Sequence, residues 1–130
     1  MKKIIQTPLI LLFAALALIG CRSLDPAGPY KGDSKLYAQD VGIRAAYDTI
    51  HTFVTWESQN RAALKSNPEI KKAADVMRKN TPKWMATAIA LRDAYASVPS
   101  TANLAALQQS LAILKAAMTE ASQYMLSATQ

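Results

Sequence analysis

The side chains with chemistry to offer are few. The 130-residue chain has one cysteine, Cys21, and one histidine, His51. No disulfide can close within one chain, and no metal set built from paired Cys and His can be assembled. His51 has no HExxH neighbour, so it reads as a solvated or half-buried helix residue rather than a ligand. Asp40 and Asp48 stand eight residues apart, more than two helical turns, too far for a paired acid and base. The chain has no glycine-rich phosphate loop, no GxSxG elbow and no DxDxDG loop. An enzyme is therefore not expected, nor is a metal or cofactor. What remains is charge and aromatic surface. Fifteen Lys and Arg face nine Asp and Glu, a net charge of +6. Lys71, Lys72, Lys79 and Lys83 crowd one stretch and are the candidate binding residues for an acidic partner. Tyr47, Trp84 and Tyr95 fall at core spacing, whereas Trp56 and Tyr124 do not. An exposed Trp56 would be a contact for a partner or a membrane.

The cysteine gains meaning from what precedes it. Lys2 and Lys3 are followed by a neutral stretch and then by the apolar run Leu9–Ile19 of eleven residues. A positive segment before a short apolar one is what a secretory signal requires. The run is short for a membrane span, which needs about twenty apolar residues. It closes on Leu18-Ile19-Gly20-Cys21. This stretch resembles the lipobox of bacterial lipoproteins, and the resemblance covers residues 1–21 only. It implies diacylglyceryl transfer to the Cys21 thiol and cleavage after Gly20, with further acylation of the new amino group in many bacteria. Several acyl chains hold a protein firmly where a single chain holds it marginally. Arg22 is not the Asp that tends to retain such proteins in the inner membrane. The expected address is therefore the cell envelope, on the outer membrane and facing the periplasm if the host has two membranes.

The elements that must display these residues follow in order. Residues 21–32 form the lipidated cysteine and a linker, since Arg22–Gly32 holds two prolines and two glycines. Leu24 and Tyr30 either stay in that tether or dock on the domain. Beyond it, alanine is abundant and Gly42 is the single remaining glycine, a composition that favours helix. Asp33 and Ser34 stand where a cap belongs. The first stripe is Leu36, Ile43, Tyr47, Ile50, Val54 and Leu64, with Ala46 and Phe53 beside it and Glu57 and Arg61 on the same stripe, spaced for an ion pair. Asn67-Pro68-Glu69 divides it from the next helix, and Ser66 with Glu69 has capping-box spacing. The second stripe is Ile70, Ala74, Met77, Thr81, Trp84, Ala88, Leu91, Tyr95 and Val98, in steps of four and three. It keeps phase across Pro82, which predicts one kinked helix rather than two. A third stripe follows Val98-Pro99-Ser100, through Leu104, Leu107, Leu111, Leu114, Met118, Ala121 and Met125. Short turns between long helices dictate antiparallel neighbours. The expected fold is all-α, an up-down-up three-helix bundle over residues 33–130 on a short lipid tether.

Two surfaces of that bundle stand out. Off the third stripe, Ala105, Gln108, Gln109, Ala112, Ala116, Thr119, Ser122 and Gln123 leave only Lys115 and Glu120 charged. A free helix face carries more charge than that. The face is therefore either covered within the bundle or used for self-association or a partner. Charge is also polarised along the bundle. The half near Asn67 carries Arg61, Lys65, Lys71, Lys72, Arg78, Lys79, Lys83 and Lys115 against Glu57, Glu69, Asp75 and Glu120, about +4, and the half near the tether is about neutral. These features lead to a membrane-anchored, non-enzymatic lipoprotein that binds an envelope protein or the cell wall. The alternative is a phage- or plasmid-encoded lipoprotein acting in host lysis or exclusion of competitors. Export sets nucleic acid aside as a partner despite the basic charge.

Overall fold

The computed structural model describes residues 33–128, and the lipobox, Cys21 and the linker lie outside the described residues. Helix α1 spans Ser34–Asn60, α2 spans Pro68–Ser97 and α3 spans Thr101–Ser127, and each packs on both others. The chain is the expected all-α three-helix bundle. Asp33 caps α1 by accepting from the Leu36 amide at 2.9 Å, and Ser100 caps α3 by accepting from the Asn103 amide at 3.1 Å. The cap of α2 differs from expectation. Its N-cap is Asn67, with no side-chain bond, and Pro68 occupies the first turn. Proline there has no amide to satisfy, which removes one of the orphan donors of the first turn.

The core is drawn from all three helices, with Ile43, Ile50, Phe53, Met77, Leu107, Leu111, Leu114 and Met125 almost fully enclosed. Alanines Ala46, Ala74, Ala88 and Ala121 are wholly buried between them, which lets the helices approach closely. The second and third stripes fall as expected, except that Val98 lies past the end of α2 as its C-cap and is 61% exposed. The first stripe is rotated. Its buried line runs Leu36, Asp40, Ile43, Ala46, Ile50, Phe53 and Glu57, while Tyr47 is 42% exposed and Val54 half-buried. Counting apolar residues set the expected line toward Tyr47, because Asp40 was not recognised as buried and Ala46 and Phe53 were placed beside the line; Glu57 lies on it as expected. Leu64 belongs to a turn and not to α1. The Asn60 carbonyl accepts from both Ala63 and Leu64 amides, at 2.9 and 3.1 Å, and the chain turns over the bundle end there.

Two positions explain how the helices fit. Gly42 faces Leu111 of α3, and a Cβ at Gly42 would stand 3.0 Å from Leu111 Cδ2. The glycine thus marks a close approach of α1 and α3. Pro82 sits inside α2, which continues through it as one helix. Proline supplies no amide to the carbonyl four residues earlier, that of Arg78.

Candidate functional site

Three surfaces carry features beyond packing: the α1–α2 seam, the outer face of α2 and the outer face of α3. The seam is the most structured. Glu57 is buried on α1 yet charged, because two arginines reach it. Arg61, one turn on, donates through Nε and Nη2 at 3.0 Å each, and Arg78 of α2 donates through Nη2 at 2.8 Å. The Arg61 hydrogen bonds above all hold the Glu57 carboxyl below the usual range, with Arg78 adding to them against the opposing effect of burial. Arg78 is anchored further by Ser58 Oγ at 3.0 Å and by Asp75 at 2.5 Å. At the other end of the seam the same device recurs. Buried Asp40 accepts from Arg44 Nε at 2.9 Å, one turn on, and from Arg92 Nη1 of α2 at 2.8 Å. Arg92 also holds Asp93 at 2.8 Å. Each end of the seam is therefore pinned by a carboxylate between two guanidiniums, one from α1 or its C-cap Arg61 and one from α2.

Between these two clamps the seam opens into a trough of about 510 Å³. Tyr47, His51 and Val54 of α1 and Pro82, Met85 and Ile89 of α2 form its walls. Ile50, Met77 and Thr81 form its buried floor, and Arg78 stands at one end. His51 is exposed and stacked on Tyr47, with ring centroids 5.8 Å apart. The Thr81 hydroxyl is buried and has no hydrogen-bond partner among the described residues. Leaving such a group unpaired costs about 1–3 kcal/mol. The spacing of Glu57 and Arg61 made their pair legible beforehand, but Arg78, Arg92 and the trough were missed. They come from another helix, and a single-helix pattern carries no signal for them.

The basic candidates divide. Lys71 is tied to Asp75 at 2.6 Å and is not a free cation. This tie holds the Asp75 carboxyl below its ordinary range. Lys72, Lys79 and Lys83 are exposed and form no ion pair within 4 Å among the described residues, and they share one outer stripe of α2 with Val76, which is 48% exposed. Lys65 is exposed in the adjoining turn. Trp56 is not an exposed contact: it is half-buried, packed on the core and stacked on Phe53 at 6.1 Å. Tyr124 of α3 also stacks on Phe53, with ring centroids 5.9 Å apart.

On α3, Ala105, Gln108, Gln109, Ala112, Ala116, Thr119 and Gln123 are exposed and Ser122 is half-buried. Burial of that face within the bundle is thereby corrected, because α1 and α2 both pack on the opposite, leucine-bearing side. Ile113, 49% exposed, adds an apolar side chain to it. Among the described residues no helix is long and apolar enough to cross a membrane, and no cluster of His, Cys, Asp and Glu is placed to hold a metal. Comparison with protein-family models, with curated proteins and with solved structures finds no match to this chain.

Proposed function

We propose that this chain is a bacterial lipoprotein, fixed to a membrane of the cell envelope by lipid on Cys21, that acts without catalysis by holding an acidic envelope partner against its helical bundle. The anchor rests on the short apolar run ending in Leu18-Ile19-Gly20-Cys21. The address it implies is the periplasmic face of the outer membrane in a two-membrane host. The binding half is carried by one observation: Lys72, Lys79 and Lys83 stand on one exposed stripe of α2 and form no ion pair among the described residues. That stripe adjoins the α1–α2 turn, at the end of the bundle opposite the start of α1, where the tether joins. A basic surface held away from the membrane meets anionic wall polymer or the acidic face of another envelope protein, and electrostatic attraction speeds the encounter.

The test is a pull-down of wall material and envelope proteins with the purified protein at low and high salt. It is run beside a variant with Lys72, Lys79 and Lys83 changed to Gln. The expected result is capture that fades between about 0.05 and 0.5 M salt, as the screening length shrinks below about 10 Å, and that the variant lacks. Capture equal in both proteins and indifferent to salt would remove the basic stripe from the function.

A further inference from the structure

Helix α3 packs on the bundle with one side and carries a second regular line on the other. Ala105, Gln109, Ala112, Ala116, Thr119 and Gln123 follow one another in steps of four and three, and all six are exposed. Leu126, 51% exposed, continues the line. Alternating steps of four and three mark the seam of two helices wound together. Written as heptads abcdefg, Ala105, Ala112 and Thr119 take the d positions and Gln109, Ala116 and Gln123 the a positions. These side chains are uncharged and mostly short, so a second helix can come close without burying a charge.

The flanks of the line say which helix that is. Lys115 falls at g and Glu120 at e, on opposite sides of the seam. They are five residues apart, whereas side chains that meet within a helix are three or four apart. Neither forms an ion pair among the described residues. In a parallel, in-register pair of identical helices, g of one heptad faces e of the other copy's next heptad, five residues on. Lys115 of each copy then meets Glu120 of the other, twice by symmetry. The neighbouring flank pairs, Gln108 with Ile113 and Ser122 with Ser127, bring no like charges together. An antiparallel pair sets g against g and e against e. Lys115 would then face Gln108, Ser122 or a second Lys115, and no acidic side chain. The charges thus complement one arrangement, a parallel copy of the same helix. Gln109 and Gln123 meet their own counterparts there, and a polar side chain at an a position specifies register at some cost in stability.

We propose that the protein pairs with a second copy of itself through the outer face of α3, parallel and in register, with reciprocal Lys115–Glu120 ion pairs flanking the seam. Helices α1 and α3 start at the same end of the bundle. A parallel pair therefore sets both chain starts side by side, as two tethers in one membrane require. That agreement rests on the proposed anchor, whereas the charge pattern belongs to the bundle alone.

The experiment is cross-linking in intact bacteria that express the full chain with one introduced cysteine, treated with a short bismaleimide. The wild type, whose sole cysteine is Cys21, sets the background. Ala105→Cys, Ala112→Cys and Thr119→Cys should each give a covalent dimer, while Ala90→Cys, exposed on α2, should stay at background. An antiparallel pair would link at most one of the three. With Ala112→Cys as the reporter, Lys115→Glu and Glu120→Lys should each cut the dimer about tenfold, as two attractive exposed pairs become repulsive. The two changes together should restore it, and pairing within one chain cannot imitate that rescue. The proposal is overturned if no dimer rises above background, if only one of the three positions links, or if Ala90→Cys links equally. It is also overturned if the charge variants leave the dimer unchanged, if the double variant stays as low as the single ones, or if only a different protein is captured. Cys21 and the α2 lysines are intact in every variant, so these outcomes are independent of the salt-dependent capture that tests the proposed function.

Discussion

A carboxylate as enclosed as that of Glu57 stays ionised only because two guanidiniums reach it, Arg61 at the C-cap of α1 and Arg78 of α2. The consequence for stability has a definite sign. The folded-state pKa of Glu57 is depressed, mainly by the Arg61 hydrogen bonds. The stability it contributes is therefore complete above the ordinary glutamate range and is lost as pH falls through the lower native value. Asp75, held down by Lys71, has the same sign. Glu57→Gln should cost about 2 kcal/mol at neutral pH, the scale of hydrogen bonds to charged groups. It should also flatten the acid limb of a plot of unfolding free energy, measured in urea, against pH. An unchanged acid limb would mean that the clamp does not couple folding to protonation. Gly42 makes the second residue-scale prediction. With Leu111 Cδ2 already 3.0 Å from the place of a Cβ, Gly42→Leu should overpack the α1–α3 contact. Thermal unfolding should register a loss of about 1–3 kcal/mol. At this scale the sequence revealed what was local. The Glu57–Arg61 spacing was readable, and Gly42 was visible as an oddity in a helix. Its reason, the approach of a leucine sixty-nine positions away, was not.

At the scale of elements, α2 and α3 were legible because their leucines, alanines and methionines repeat in steps of three and four over whole helices. The line of α1 was less so, since its buried positions include Asp40, which no apolar count selects. Pro82 tests how much of α2 is held by packing. Its ring is exposed and its missing amide leaves the Arg78 carbonyl without a bond from position 82. Pro82→Ala restores a donor there and should stabilise the protein by about 1–3 kcal/mol, the lower part of the cost of interior proline. A calorimetric Tm that falls instead would show that the proline is built into the α1–α2 fit. The exposed face of α3 gives a different kind of test. Ala112→Glu and Ala116→Lys point to solvent in the single chain, so the helical circular dichroism and Tm should hold to within about 0.5 kcal/mol. With two copies paired through this face, sedimentation should show the wild type heavier than the charged variant. Equal mass for the two proteins would leave the face as ordinary surface.

At the scale of the whole molecule, the bundle is a stiff spacer. An α1 of 27 residues reaches roughly 40 Å from its first turn. The formal surplus of charge expected at the far pole narrows once pairs are known. Lys71, Arg61 and Arg78 are engaged by Asp75 and Glu57, and Lys65, Lys72, Lys79, Lys83 and Lys115 form no ion pair among the described residues. Charge counting could not separate them, because pairing depends on which helix faces which. The account of the molecule as an anchored binding module turns on Cys21, and metabolic labelling tests that most directly. The full chain and its Cys21→Ala variant are expressed in a bacterium that processes lipoproteins and are fed an alkyne analogue of palmitate. The wild type should carry the label and sediment with membranes, and the variant should fall to background and leave them. Label retained on Cys21→Ala, or a wild type that never acquires it, would contradict the account.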